Sequence, residues 1–108
     1  MPETYKSYGT KLTTANETIV YSAGNATAII NSIHVANYDA SNASAITLTL
    51  WKDTTNSDYH ICKAAAVPIQ STYQALDTPI PLEPGDTIRA TAANANRLDV
   101  IVSVLEIT

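Results

Sequence analysis

Cysteine, glycine and charged residues are all scarce in this chain of 108 residues. The single cysteine, Cys62, excludes an intramolecular disulfide and supplies too few thiolates for a structural zinc site. The three glycines stand far apart, so the chain has no glycine-rich phosphate loop. The sequence therefore predicts a fold held by side-chain packing, with no cofactor and no metal.

Charged residues make up only 15% of the chain, and six Lys plus Arg leave a formal net charge of −4. Because phosphate backbones and anionic lipids bind clustered cations, we expect neither a nucleic-acid nor a membrane partner. The sequence shows no apolar signal core at its start and no apolar run of membrane-spanning length, which predicts synthesis in the cytoplasm. A surface rich in Thr, Ser and Asn suits packing against copies or partners, because few long charged side chains must be desolvated or immobilised.

Short segments rich in Ile, Val, Thr and Tyr alternate with clusters of turn residues, which is typical of an all-β fold. A chain of 108 residues has room for one core. The sequence therefore predicts a single antiparallel β-sandwich over residues 1–108, jelly-roll-like or immunoglobulin-like, with about eight strands and residues 1–12 as a candidate N-terminal arm. The predicted strands are 5–12, 18–21, 27–37, 46–52, 59–63, 72–76, 87–92 and 98–107.

Alternation within the strands predicts which side chains enter the core. In 46–52, Ile46, Leu48 and Leu50 fall on one side and Trp51 on the other, so Trp51 is expected on the outer face. A tryptophan there is a common interface anchor. The other interpretation is that Trp51 plugs the sandwich end, or that a bulge reverses its side.

The alternation in residues 27–37 predicts a long central strand with Ile29, Ile33 and Val35 on one side. Its other side carries Ile30, Ser32, His34 and Ala36. Residues 82–86 place Pro and Gly at the two central positions of a type II turn. Upstream, the prolines of residues 67–81 predict a loop with at most a short edge strand.

The last predicted strand is apolar on both sides. Val100, Val102 and Val104 alternate with Ile101, Leu105 and Ile107. We assign the valines to the core, so the second apolar side needs a cover of its own. Two covers are open: the N-terminal segment 5–12, or another subunit.

Asp58, His60 and Cys62 form the best enzymatic constellation, because their spacing places them on one face of a strand. Residues two apart on a strand lie about 6 to 7 Å apart, whereas catalytic groups meet at hydrogen-bond distance, so the pattern favours a polar solvent face. The oxygen-rich segment 53–58 is either a hairpin turn or a weak cation site. Neither His34 nor His60 has a ligand-spaced partner.

Four short motifs extend over nearly the whole chain. They are Ile-His-Val-Ala-Asn at 33–37, Asp-Tyr-His-Ile-Cys-Lys at 58–63 with Pro-Ile at 68–69, Leu-Glu-Pro-Gly-Asp at 82–86, and Ser-Val-Leu-Glu-Ile-Thr at 103–108. Together they resemble small virion structural proteins of tailed phages, especially marine and cyanobacterial phages. The resemblance implies a capsid decoration or cement protein, or a small tail or baseplate component, and transfers no catalytic residue.

We therefore expect a non-enzymatic virion protein that decorates the capsid and stabilises the head lattice through subunit contacts. Its expected partners are the major capsid protein or other virion proteins, and copies of itself in a homo-oligomer for which we favour a trimer. The predicted contact residues are Tyr5, Tyr8, Trp51, Ile101 and Leu105.

Three other functions stay open from the sequence. The same sandwich would serve as a tail, baseplate or fibre-associated adaptor. A carbohydrate-binding module would use Trp51 with Tyr38, Tyr59 or Tyr73 as stacking platforms. A small hydrolase would use His60 and Cys62.

Overall fold

The structure, a computed structural model, describes residues 3–76 and 78–107. These two ranges contain nine β-strands and no helix. Accordingly, no helix in them is long and apolar enough to cross a membrane. The strands are β1 (Glu3–Leu12), β2 (Thr18–Ser22), β3 (Thr27–Asn37), β4 (Ser44–Lys52), β5 (Ser57–Val67), β6 (Thr72–Gln74), β7 (Ile80–Leu82), β8 (Thr87–Ala92) and β9 (Leu98–Ile107).

The strands form two antiparallel sheets. Sheet A has the order β1-β9-β3-β6, and β7 pairs with the other end of β3; sheet B has the order β2-β8-β4-β5. If β6 and β7 count as one interrupted strand, the first strand pairs with the last, the second with the second-last, and so on inward. This is the nested pairing of a jelly roll. The predicted all-β antiparallel sandwich is confirmed, and its topology is the jelly-roll alternative.

The core lies between the inner faces of the two sheets. Ile46 and Leu48 of β4 are fully buried, as their alternation predicts. The inner side of β9 is equally closed, since none of its valines at 100, 102 and 104 is more than 1% exposed. Sheet B places no bulge between β4 and β8, so Trp51 keeps the outer side that the alternation assigns to it.

A β-bulge in β3 makes one part of the predicted alternation wrong. The register between β3 and β9 shifts between Ile30 and Ser32, where Asn31 is the extra residue. The shift reverses the sides beyond it, because side chains alternate with a period of two. Ile30 and Ile33 are both fully buried, whereas Ile29 lies on the outer side.

The segment after β4 is more regular than the sequence predicts. β5 runs from Ser57 to Val67, beyond the predicted end at 63, and accommodates the alanines with a positive φ of 51° at Ala64. Within the predicted loop, β7 forms at Ile80–Leu82 against β3. Pro81 is compatible with this strand because β7 is an edge strand, where a missing N–H costs no ladder hydrogen bond.

The turn at 82–86 supports a buried carboxylate. Gly85 has the positive φ, 91°, that the type II turn requires, and the Asp86 N–H donates to the Glu83 carbonyl at 3.1 Å. The side chain of Asp86 has no exposed surface. It accepts hydrogen bonds from Lys52 Nζ at 2.8 Å and from the N–H groups of Asp53 and Glu83 at 3.1 and 3.0 Å. The carboxylate therefore fixes the end of β4 to the turn before β8.

The Asp86 carboxylate is predicted to be the most sensitive polar group of this corner. Asp86→Asn removes a charge and one acceptor from a buried carboxylate with three donors, and we expect it to lower the free energy of unfolding by about 3 kcal/mol. Glu83→Gln is the matched control, because Glu83 bonds the same Lys52 with a side chain 63% exposed, and should cost less than about 1 kcal/mol. Urea unfolding measures both; equal losses would contradict the assignment.

Candidate functional site

Sheet A exposes an apolar row on the face that points away from sheet B. The strand register places Tyr5, Leu105, Ile29 and Pro81 side by side across four strands. Directly paired residues of antiparallel strands share a face, so these side chains form one continuous strip, called the apolar row below. Tyr5 is 77% exposed, while Leu105 and Ile29 are half-buried.

A hollow lies on the same face, separated from the apolar row by the paired serines at 7, 103 and 32. Gly9 pairs with Ile101, and the absence of a side chain at Gly9 leaves Ile101 45% exposed. The hollow has a volume of about 350 Å³ and is bordered by Lys11 and Asp99, whose charged groups lie 3.4 Å apart. An apolar floor with a polar rim is the composition of many protein contact surfaces.

The N-terminal segment does not cover the second apolar side of β9. Residues 3–12 form β1, which pairs alongside β9 over all ten positions from Glu3–Ile107 to Leu12–Leu98. The suggested cover by segment 5–12 is therefore wrong: its backbone extends sheet A by one strand and leaves the outer face open. Pairing at the edge satisfies the backbone hydrogen bonds of both strands, which a segment lying across the face would leave unpaired.

The outer face of sheet A carries three of the predicted contact residues: Tyr5, Ile101 and Leu105. Tyr8 is on the inner face instead, because it pairs with the buried Val102. Its ring packs against Tyr21 with centroids 5.3 Å apart. A role in subunit contacts stays a prediction for all of them.

Tyr8 belongs to a polar cluster that joins the two sheets at one end. The Glu106 carboxylate of β9 accepts hydrogen bonds from the Tyr21 hydroxyl of β2 at 2.6 Å and the Tyr8 hydroxyl at 3.2 Å, and Lys6 Nζ lies 3.1 Å away. The bond from Tyr21, followed by that from Lys6, holds the pKa of Glu106 below its usual range despite the opposing effect of burial. Burial, together with the Glu106 charge, raises the pKa of Tyr21.

Trp51, the remaining predicted contact residue, lies on the outer face of sheet B. It pairs with Thr87 and Asp58, and the Arg89 guanidinium lies 4.8 Å from its ring centroid. Trp51 is half-buried under this cation. The interpretation that a bulge reverses its side is wrong, because β4 pairs with β8 without interruption.

The enzymatic constellation does not assemble on one face of β5. A bulge at Ile61 places His60 opposite Thr49 on the outer face and Cys62 opposite Leu48 on the inner face. The Cys62 Sγ contacts the Ile46 carbonyl at 3.7 Å, and burial raises the pKa of the thiol. A raised pKa disfavours the thiolate that nucleophilic catalysis requires. The predicted sharing of one face by Asp58, His60 and Cys62 is therefore wrong.

The other candidate sites are dispersed. Of segment 53–58, residues 53–56 form the turn between β4 and β5 and residues 57–58 begin β5. No group of three His, Cys, Asp or Glu side chains within 3–76 and 78–107 is arranged to hold a metal ion. The aromatic residues proposed for carbohydrate stacking do not share a face. Tyr59 pairs with Leu50 on the side opposite to Trp51, and Tyr38 follows β3 with Lys11 Nζ 5.4 Å from its ring centroid.

The sequence matches no protein-family model and no curated protein. The fold, however, is similar to solved structures. The capsid of Helicobacter pylori bacteriophage KHP30 contains a chain with a TM-score of 0.56 and 11% identity, covering 98% of this chain and 87% of that one.

A chain of the T13 particle of infectious bursal disease virus gives a TM-score of 0.57 at 5% identity and covers 97% of this chain. The match covers 31% of the viral chain, so this protein spans about a third of its length. The cyanophage Pam1 capsid contains a chain 21% identical, with a TM-score of 0.47, over 97% of this chain and 82% of that one. The strand order defines this protein as a jelly roll, and the KHP30 and infectious bursal disease virus chains have a similar fold.

Sequence reasoning missed Ile29, Pro81, Gly9 and Glu106 as parts of the site. Alternation groups Ile29 with Ile33, and the prolines predict a loop at Pro81, whereas the structure places both residues on the outer face of sheet A. The glycine at position 9 lies inside a predicted strand, and such a glycine often marks the close approach of a ligand or another backbone. A lone glutamate in an apolar strand was the signal for Glu106.

The Glu106 cluster predicts a loss of stability in acid. The folded pKa of Glu106 is lowered, so the unfolded chain binds more protons near that pKa; stability is complete above about pH 5 and falls as the pH drops below about 4. Glu106→Gln should lower the midpoint temperature at neutral pH and weaken this acid dependence. Thermal unfolding from about pH 7 to about pH 2.5 tests it, and parallel curves for the two proteins would contradict it.

Proposed function

We propose that this protein is a non-enzymatic structural component of a phage virion, and specifically a capsid decoration protein. The observation that carries the proposal is the outer face of sheet A, where a jelly roll presents an exposed apolar row and, beyond a row of serines, a hollow with Ile101 in its lining. Contiguous exposed apolar surface on a small protein marks an interaction site. The separation of His60 from Cys62 supports a function without catalysis.

Two further features support a virion setting. The KHP30 capsid chain matches this fold over nearly its entire length, and the motifs of the sequence resemble phage structural proteins. The surface also carries few charges, which lowers the cost of packing copies closely. A decoration protein binds the major capsid protein or other virion proteins and stabilises the head lattice by binding across neighbouring subunits.

The proposed contact surface is the apolar row with Ile101; Tyr8 supports it from within the fold, and Trp51 offers a smaller contact on sheet B. The homo-oligomer proposed for the capsid is a trimer, which would repeat this face around a three-fold axis. The proposed location is the virion, after synthesis in the host cytoplasm, with neither nucleic acid nor membrane as partner. Tail or baseplate attachment is an outcome of the same test.

Binding to particles that lack the protein tests the contact surface. Ile101→Ser removes an exposed aliphatic side chain from the outer face of sheet A, and we expect about a tenfold or greater loss of binding in a particle co-sedimentation assay. Ile19→Ser is a matched control, because Ile19 is a 54% exposed isoleucine paired with Arg89 on the outer face of sheet B. We expect the control to bind like the unchanged protein.

The two variants separate the competing results. Equal losses, or a loss only for the sheet B variant, would reject the outer face of sheet A as the contact. The copy number per purified particle, measured by quantitative mass spectrometry, tests where in the virion the protein is located. Hundreds of copies agree with capsid decoration, whereas a few dozen or fewer would assign the protein to the tail.

A further inference from the structure

The edge strands of the sandwich are β1, β6 and β7 in sheet A and β2 and β5 in sheet B, and they differ in how they are protected from pairing with another chain. β2 has five residues and a bulge at Val20, β5 has bulges at Ile61 and Ala64, and β6 and β7 have three residues each. Short strands and bulges are devices that prevent edge-to-edge association. β1 has neither: its ten residues pair with β9 in one unbroken register. Its free edge is therefore the open pairing site among the described strands.

Glycine at position 9 is unexplained by the isolated fold. The left-handed glycines of this chain are Gly24 and Gly85, and Gly9 is not among them. A Cβ built on Gly9 would meet no atom within 4 Å, so crowding does not require glycine either. A glycine within a strand lowers its stability and often marks the close approach of another chain.

The sequence of β1 is complementary to itself in antiparallel orientation. Every second residue of β1 directs its N–H and C=O groups toward the free edge, and only these residues can hydrogen-bond to an added strand. In a pair of β1 strands, the two residues that lie opposite each other therefore have numbers that are both odd or both even. In the register centred on Ser7, Glu3 lies opposite Lys11 and Tyr5 lies opposite Gly9. The two-fold axis repeats each pairing, giving two opposite-charge pairs and two Tyr–Gly pairs.

The neighbouring registers are less favourable. Centring the pairing on Lys6 places two lysines opposite each other, and like charges directly opposite destabilise a strand pair. Centring it on Tyr8 places Tyr5 opposite Lys11 and leaves Glu3 beyond the paired region. The register centred on Ser7 is therefore the one that satisfies both charge and shape.

We propose that β1 is the docking edge for β1 of a second copy of this chain, in the antiparallel register centred on Ser7. The Tyr5 side chain of each copy enters the hollow over Gly9 of the other and packs against Ile101. Tyr5 is 77% exposed and the hollow measures about 350 Å³, so the inserted side chain and the hollow that receives it are both accessible. The two A sheets then form one continuous sheet.

This contact goes beyond the proposed virion role, because it joins two copies of the chain in solution and needs no capsid. It is two-fold and therefore distinct from the three-fold contact of the proposed trimer. Lys11 already lies 3.4 Å from Asp99 and Lys6 is bound to Glu106. Neither lysine therefore presents an unpaired charge that would repel the incoming strand.

Cysteine cross-linking of the full chain tests the register. Ser7→Cys in a Cys62→Ser background places two thiols beside the two-fold axis, on directly paired residues whose Cα atoms lie about 4.5 to 5.5 Å apart, within the range of a disulfide. Thr4→Cys in the same background is the control, because the two thiols are then six residues or about 20 Å apart. We expect a covalent dimer under mild oxidation for the first variant alone. Equal dimer yields, or none from Ser7→Cys, would overturn the proposal.

Gly9→Val tests the hollow with a readout that does not depend on cross-linking. The added side chain fills the hollow, so we expect the dimer dissociation constant, measured by analytical ultracentrifugation, to rise about tenfold or more. The monomer should lose no thermal stability, because no atom lies within 4 Å and a β-branched residue favours a strand. Unchanged association, or a variant that unfolds, would contradict the assignment of Gly9 to a contact between copies.

Discussion

The central position of β9 is the constraint on which the rest of the structure depends. This strand pairs with β1 on one side and β3 on the other, and its inner valines close the core. At its end, Glu106 accepts a hydrogen bond from Tyr21 and so connects sheet A to sheet B. The one cysteine is unpaired, so no intramolecular disulfide adds to these contacts. Packing along β9 therefore fixes the outer face of sheet A in place.

The two outer faces differ because of this arrangement. Sheet B covers its tryptophan with Arg89 and places four threonines of β4 and β8, at 47, 49, 87 and 91, on the same face. Sheet A carries the apolar row and the hollow, and ends in an edge strand without a bulge. The lysines of β1 are paired within the sheet, Lys6 with Glu106 and Lys11 with Asp99. The contacts proposed with copies and most of those proposed with a capsid would thus use the same side of the molecule.

Much of this fold was predictable from local pattern, and its irregularities were not. Strict alternation in β4 placed Ile46 and Leu48 correctly, and the Pro-Gly pair predicted the turn before Asp86. The bulges at Asn31 and Ile61 are set by the pairing with a neighbouring strand. Alternation within one strand carries no information about that pairing. These bulges moved Ile29 onto the candidate surface and separated Cys62 from His60. Tyr5, Ile101 and Leu105 were predictable as exposed apolar residues, whereas the place of Pro81 beside them required the pairing of β7 with β3.

Hydrogen–deuterium exchange tests most directly whether sheet A is the contact side. Exchange would be compared between dilute protein and the same protein at high concentration or bound to particles, and resolved by peptide. We expect slower exchange within Glu3–Leu12, whose outward N–H groups gain acceptors, and unchanged exchange within Ser57–Val67 at an edge of the other sheet. Protection confined to Ser57–Val67, or no protection anywhere despite association, would contradict it.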